Sequence, residues 1–413
     1  MIERNIAKQT IIQQIFRQWR NDGVRYAIAR NATQVLEGVA DDIDVFVASG
    51  SRAAAEATLW SFGHLGWHVV QKSPGFANTR IVLINEVCRD SIIFDLSEHI
   101  LVDGRWVPAK VMLYDLCECR GVFTLSPAAE VIHLQNRTGA KAEKYRKRIE
   151  DLKKSVSTNQ VDLLWKQMKR CGKAHAHPSV RLRRYAAALG RQIRPQGIFV
   201  AVLGPDGAGK SSALREVKKR LQQLGVRHVA MHLGGKKGML PARRRVYSGR
   251  PSKITRPRKW LRWVKSLVDY PRFVYHMLDL LIFHIARIRP ELVKGTHYLA
   301  DKYFTYYVKS TEMTFSLPQS VLRAALLCLP RPCAYVLLWH DPDVIVSRKN
   351  ELKMEEIAVH MRKLEAQAHT ARYSRKLKTN GTVEEVGTRL CNVLMSIYSQ
   401  EMIRRSSSSG CDY

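Results

Sequence analysis

Nine residues, Gly204-Pro205-Asp206-Gly207-Ala208-Gly209-Lys210-Ser211-Ser212, fit the pattern G-x-x-x-x-G-K-[ST]. The chemistry of that pattern is the cradling of phosphate. Gly204, Gly207 and Gly209 permit backbone angles that a Cβ resists, so successive N–H groups, with those of Ala208 and Ser212, can turn inward around phosphate oxygens. Lys210 is placed to reach the β- and γ-phosphates of a nucleotide such as ATP, and the Ser211 hydroxyl to ligate Mg²⁺. A bare glycine-rich turn would need none of the surrounding elements. Here Gly197 to Leu203 is an apolar, β-branched run that reads as a buried strand. Ser211 to Leu224 then sets Ala213, Leu214, Val217, Leu221 and Leu224 on one helical face, so the helix N-terminus also points at the anion.

Two further blocks could serve the same chemistry. Tyr298-Leu299-Ala300-Asp301 is an apolar strand ending in a carboxylate, which can stand beside the loop next to the metal. After another apolar strand comes His340-Asp341-Pro342-Asp343, followed by Arg348 and Lys349. Such a cationic segment can close over a transferring phosphoryl group and neutralise its charge, and it also reads as a solvated helix face.

A second chemistry lies nearer the N-terminus, in Ala40-Asp41-Asp42-Ile43-Asp44-Val45-Phe46-Val47. On a strand, positions two apart share a face, so Asp42 and Asp44 converge. Asp95, within Ile92 to Leu96, can approach from a neighbouring strand. Three such carboxylates bind one or two Mg²⁺ and direct attack on a nucleotide α-phosphate. They also read as the solvated end of a half-exposed strand.

Positioning these groups takes two domains, which 413 residues can supply. Residues 1–155 read as an α+β domain: an amphipathic helix from Ile6 to Trp19, strands at Tyr26–Ala29 and Ile43–Val47, and a helix from Ser51 to Phe62 capped by its serine. Strands follow at Trp67–Val70, Arg80–Ile84 and Ile92–Leu96, then a helical stretch from Pro127 to Lys154, with His133 read as structural. Residues 156–196 read as a basic linker with some helix at its ends, because Lys166 to Arg194 holds nine Lys/Arg and no acid. From 197 to 400 strand and helix alternate, as in a parallel βαβ sheet with helices on both faces. Its strands are expected at Ile198–Leu203, Arg227–His232, His297–Asp301 and Ala334–Trp339. Residues 401–413, with four successive serines among them, read as a disordered tail.

A formal net charge of +32 implies an anionic partner. The strongest concentration is the insert 236–265, with twelve Lys/Arg, no acid, and Trp260 and Trp263 among them. That composition suits an anionic membrane surface or an acceptor's anionic groups, then a solvated face, then nucleic acid. No opening segment has signal-peptide character. Val268–Ile288 and Leu317–Trp339 are too interrupted by charge and proline to span a bilayer. The eight cysteines lack paired zinc spacing, which suits reduced thiols. The expected location is cytoplasmic, including the inner membrane face.

The loop, Asp301-Lys302-Tyr303, and Asp341-Pro342 with Arg348 together resemble the thymidylate kinase family of P-loop kinases. Tyr373 is similar to a tyrosine in that family's following helix, and Thr382 to Val386 to its last helix, with Thr382 and Glu385 forming a capping box. The resemblance runs from Gly197 to about Ser399. It implies a P-loop NTPase fold, Mg-ATP, and Asp206 facing an acceptor; Asp206 reads equally as a turn former. Lys302 replaces the family's Arg, and Leu233-Gly234-Gly235-Lys236-Lys237 replaces the segment that holds thymidylate phosphate. The chain looks closer to thymidylate kinase-like proteins of bacterial surface-polysaccharide clusters, so the implied acceptor is a nucleotide or a sugar or glycan. Asp42, Asp44 and Asp95 resemble the acids of the nucleotidyltransferase superfamily, with Arg30-Asn31 where many members carry Gly-Ser. The basic helix holding Lys144, Arg146, Lys147, Arg148 and Asp151 resembles the tail of such domains. A phosphotransferase is the first expectation. The alternatives are a nucleotidyltransferase with the second domain sensing nucleotide, an ATP-gated basic adaptor, and, for assembly, a homodimer.

Overall fold

The computed structural model describes residues 2–40, 42–85, 90–136, 143–174, 177–232, 270–271, 273–275, 277–301, 303, 329–348 and 354–409. The insert 236–265, Leu233–Lys237, Lys302 and Lys349 lie outside them. The chain forms two compact units, Met1–Arg194 with Tyr398–Tyr413, and Pro195–Ile397.

The first unit is built on α1 (Ile2–Asn21), whose Ile11, Ile12, Ile15, Phe16 and Trp19 recur at helical spacing and are buried. They pack on a seven-stranded mixed sheet of β1 (Tyr26–Ile28), β2 (Asp42–Val47), β3 (Trp67–Pro74), β4 (Asn78–Asn85), β5 (Ser91–Ser97), β8 (Leu116–Cys119) and β9 (Val122–Leu125). Its order is β3-β4-β5-β2-β1-β9-β8. The pairs β2–β5 and β1–β9 are parallel; the others are antiparallel. Alternation divides the strands between two cores. Tyr26, Ile28, Ile43, Val45 and Phe94 join α1, with α2 (Ala32–Leu36) and α3 (Arg52–Ser61). Ala27, Ala29, Phe46 and Ala48 join the other core. A small antiparallel sheet of β6 (His99–Val102), β7 (Arg105–Pro108) and β10 (Lys173–Ala174) contributes Ile100, Val102 and Val107 to it.

Several local expectations change here. Ser51 does not cap α3: it has αR backbone angles and its Oγ accepts from the Arg25 amide instead. The described part of the stretch from Pro127 includes α4 (Pro127–Gln135) and α5 (Arg146–Ser155), with a turn at Tyr145 before the latter. Residues 156–196 hold α6 (Thr158–Cys171), whose last six residues open the basic run, and α7 (Pro178–Ile193), which lies wholly within it. A capping box of Ser157 and Gln160 starts α6, and Val161, Leu164 and Trp165 pack against the second core. An apolar helical face outweighs the charge that marked this stretch as a linker.

The second unit is a parallel five-stranded sheet of β11 (Phe199–Leu203), β12 (His228–His232), β13 (His297–Asp301), β14 (Ala334–Trp339) and β15 (Tyr373–Lys378), in the order β12-β13-β11-β14-β15. The inner strands β11, β13 and β14 are buried along almost their whole length, as expected for parallel strands covered on both faces. Its described helices include α8 (Lys210–Gln223), α9 (Arg289–Val293), α10 (Pro342–Arg348), α11 (Met354–Ala368) and α12 (Val383–Ser409), whose residues from Tyr398 onward are counted with the first unit. Two expectations are corrected. Tyr373 opens the edge strand β15 rather than lying in a helix. Residues 401–409 continue α12 instead of forming a disordered tail: Glu401 is buried and both Arg404 and Arg405 reach it at 2.8 Å. The Thr382–Glu385 capping box is present, with reciprocal bonds of 3.0 and 3.2 Å. Among the described residues no helix is long and apolar enough to cross a membrane.

Candidate functional site

In the second unit the chain leaves β11 through the glycine loop and α8, then reaches β12 two places away. It returns through β13 to β11's flank and crosses to β14 on the other side. The sheet order therefore reverses at β11. In open parallel sheets the crevice beyond the carboxyl ends of the strands at such a reversal is where ligands bind. The segment Gly204–Gly209 occupies that position.

Gly204, Gly207 and Gly209 have φ of 156°, 91° and 79°. At Gly204 the close approach matters as well, since a Cβ there would lie 2.4 Å from the Leu338 carbonyl oxygen on β14. The Ala208 amide folds back on the Pro205 carbonyl at 3.2 Å, and Ala208 is fully buried beneath the loop. Lys210 is 6% exposed and its ammonium donates to the Gly204 and Pro205 carbonyls, both at 2.8 Å. Asp206, half-buried, stands 3.6 Å from the same ammonium, which fits a loop-forming carboxylate.

Asp301 ends β13 beside β11, in register with Val202, and is 5% exposed. Ser211, on the first turn of α8, donates its hydroxyl to Asp301 Oδ2 at 3.4 Å. Ser212 follows, partly buried. Tyr303 points into the core rather than the crevice, against Phe199 at 5.1 Å and donating to the Pro330 carbonyl. Burial pushes its hydroxyl pKa up, and Tyr335 adds to this. Arg348 is the last residue of α10.

Two lysines that the spacing did not single out gather with Trp339 and Asp341 at the carboxyl end of β14 and β15. Lys376 and Lys378 lie over the Trp339 ring at 4.8 and 5.1 Å, and Lys378 pairs with Asp341 at 2.9 Å. They meet only because β15 pairs with β14, and nothing local announces it.

In the first unit the register sets Asp44 beside Asp95 and Asp42 beside Ile93. The two β2 acids share the sheet face of Phe46, and one carboxylate oxygen from each of Asp42, Asp44 and Asp95 lies within 4.8 Å of the others. The three acids have basic neighbours. Arg30 donates to Asp44 at 2.7 Å and lies 3.9 Å from Asp42; Arg80, opposite Asp95 on β4, reaches it at 3.4 Å. Arg30 also bonds the Tyr145 hydroxyl and stacks on its ring at 5.1 Å. Burial pulls the Arg30 pKa down, but Asp44, Tyr145 and Asp42 outweigh it and hold the guanidinium charged. Asn31 follows with φ 54°, and a cavity of about 350 Å³ opens beside it, lined by Arg30, Thr33, Thr124, Glu130 and Arg148. Arg148 of the basic helix is paired with Glu130 at 3.1 Å. His133 packs edge-on against Phe46 at 5.1 Å in the core.

No protein-family model matches this sequence, and no curated protein matches it.

Proposed function

We propose that the chain is an ATP-dependent phosphotransferase of the thymidylate kinase-like P-loop type, moving the γ-phosphate of Mg-ATP to a nucleotide or a sugar or glycan acceptor. The observation that carries this is the Ser211 hydroxyl 3.4 Å from a buried Asp301 carboxylate, beneath a positive-φ glycine loop at the sheet's reversal point. The residues fit the groups they would hold. Lys210 now satisfies its ammonium on two neutral carbonyls, and phosphate oxygens are stronger, charge-assisted acceptors for it. Ser211 and Asp301 offer a hydroxyl and a carboxylate, the hard oxygen ligands Mg²⁺ prefers. Bound there, Mg²⁺ would neutralise charge on the phosphates. Arg348 and Lys349 are the proposed cations over the transferred group. Asp206 keeps the loop shaped and Lys210 aimed.

One observation favours a second reading, a nucleotidyltransferase in the first unit: the convergence of Asp42, Asp44 and Asp95. Metal there would have to displace the Arg30 and Arg80 contacts.

A single assay separates the two. With γ-labelled ATP and a panel of nucleotide, sugar and lipid-linked glycan acceptors, the label should move to an acceptor. Transfer should vanish in Lys210→Ala and survive in Asp42→Asn/Asp44→Asn. Pyrophosphate release that needs Asp42 and Asp44 but not Lys210 would instead establish the second reading and sink the first.

A further inference from the structure

Helix α7 carries its apolar face outward. It starts at Pro178, with His177 Nδ1 accepting from the Ser179 amide at 3.3 Å. Leu182, Tyr185, Leu189 and Ile193 are 70%, 69%, 62% and 67% exposed. At 3.6 residues per turn these four side chains fall within an arc of about 80°. Val180, the buried anchor of the helix, lies about 160° around from Leu182. Arg184 is on Val180's side and lies over the Phe76 ring at 6.0 Å. The helix is therefore held to its unit by one side and presents an apolar stripe on the opposite side. Arg181 and Arg183 flank the stripe, each about 100° from Leu182. Arg194 follows the end of the helix, Arg191 lies about 180° from Leu182 on the anchored side, and the whole run from Lys166 to Arg194 contains no acid.

We propose that this face of α7 docks in the plane of an anionic lipid bilayer. The charge selects the occupant. A second copy of the helix would bring arginines against arginines, and the remainder of a chain of net charge +32 is a poor counterpart. An anionic bilayer meets both needs. Its acyl boundary takes Leu182, Leu189 and Ile193, and its headgroups take the flanking guanidinium groups, whose stems reach back along the apolar surface. Tyr185 has an apolar ring and a polar tip, the combination that settles at the headgroup level. This helix is distinct in sequence from the basic insert 236–265, and the inference does not rest on the phosphotransferase reading.

The test is flotation of the full chain with vesicles of phosphatidylcholine mixed with phosphatidylglycerol, and with phosphatidylcholine alone. The chain should float with the anionic vesicles only. Leu182→Gln with Leu189→Gln leaves every charge in place and changes only exposed positions, so the thermal midpoint should not move. Partitioning should nevertheless fall by about tenfold or more. Lys210→Ala should float as the parent does. Equal binding by the leucine variant would overturn the proposal, since charge elsewhere would then suffice. So would absence of binding by the parent, or a dimer in lipid-free sedimentation that the leucine substitutions dissolve.

Discussion

Gly204→Ala tests the wedge between the glycine loop and β14. Two costs combine at this position. The φ of 156° belongs to a region that residues with a Cβ rarely enter, a strain of about 1–3 kcal/mol. The added methyl would also meet the Leu338 oxygen at 2.4 Å, well inside the 3.0 Å that real Cβ contacts respect. Leu338 cannot readily yield, because it is paired to Leu377 inside the parallel ladder. Forcing a methyl into a packed site costs about 1–3 kcal/mol more. The natural comparison is Gly209→Ala, at φ 79° with nothing within 4 Å of the new methyl, where only the left-handed strain of about 1–2 kcal/mol applies. Because the chain has two units, the readout should be local: amide hydrogen exchange on β11 and β14. Gly204→Ala should speed exchange there by a factor of about ten or more beyond Gly209→Ala. Equal protection in the two variants would show that the loop is not wedged against β14, and the account of how the site is held would fail.

Two other outcomes follow from the same structure. Burial, helped by Arg289, pushes the His284 pKa down to about 4 from 6.5. Above pH 6.5 both folded and unfolded chains hold it neutral. Between there and pH 4 only the unfolded chain takes the proton, so the second unit should lose on the order of 3 kcal/mol as pH falls through that window. His284→Leu should flatten that part of the stability–pH curve, and an unchanged slope would assign it to other groups. Thr382→Ala removes the hydroxyl that accepts from the Glu385 amide at 3.2 Å, and should cost about 1 kcal/mol in thermal or denaturant unfolding.

The strand–loop–helix around Gly204 was legible in the sequence because it depends on contacts a few residues apart. Apolar runs mark β11, β13 and β14, and glycines with a following lysine mark the turn. The same local logic failed where tertiary packing supplied the stabilisation. Tyr373-Ser374-Arg375-Lys376-Leu377-Lys378 is too polar to announce a strand, yet it pairs along its whole length with β14 as the edge strand of the sheet. The run from Lys166 to Arg194 reads as linker by charge, although its start lies in α6, whose other residues reach a core assembled from distant strands. Ser51 looked like a cap until its hydroxyl was taken by an amide 26 residues away.

The division follows from what each level of structure can encode. By itself the sequence determined which side chains could do chemistry: Lys210, Ser211 and Asp301 in one half, Asp42, Asp44 and Asp95 in the other. Only the tertiary structure decided their company. Sheet register set Asp301 against Ser211, and Asp44 beside Asp95 with Arg30 and Arg80 in attendance. It also turned the apolar stripe of α7 away from its own unit. Residue types and short-range periodicity are written along the chain, whereas strand pairing joins segments tens of residues apart through backbone bonds that every residue type can make.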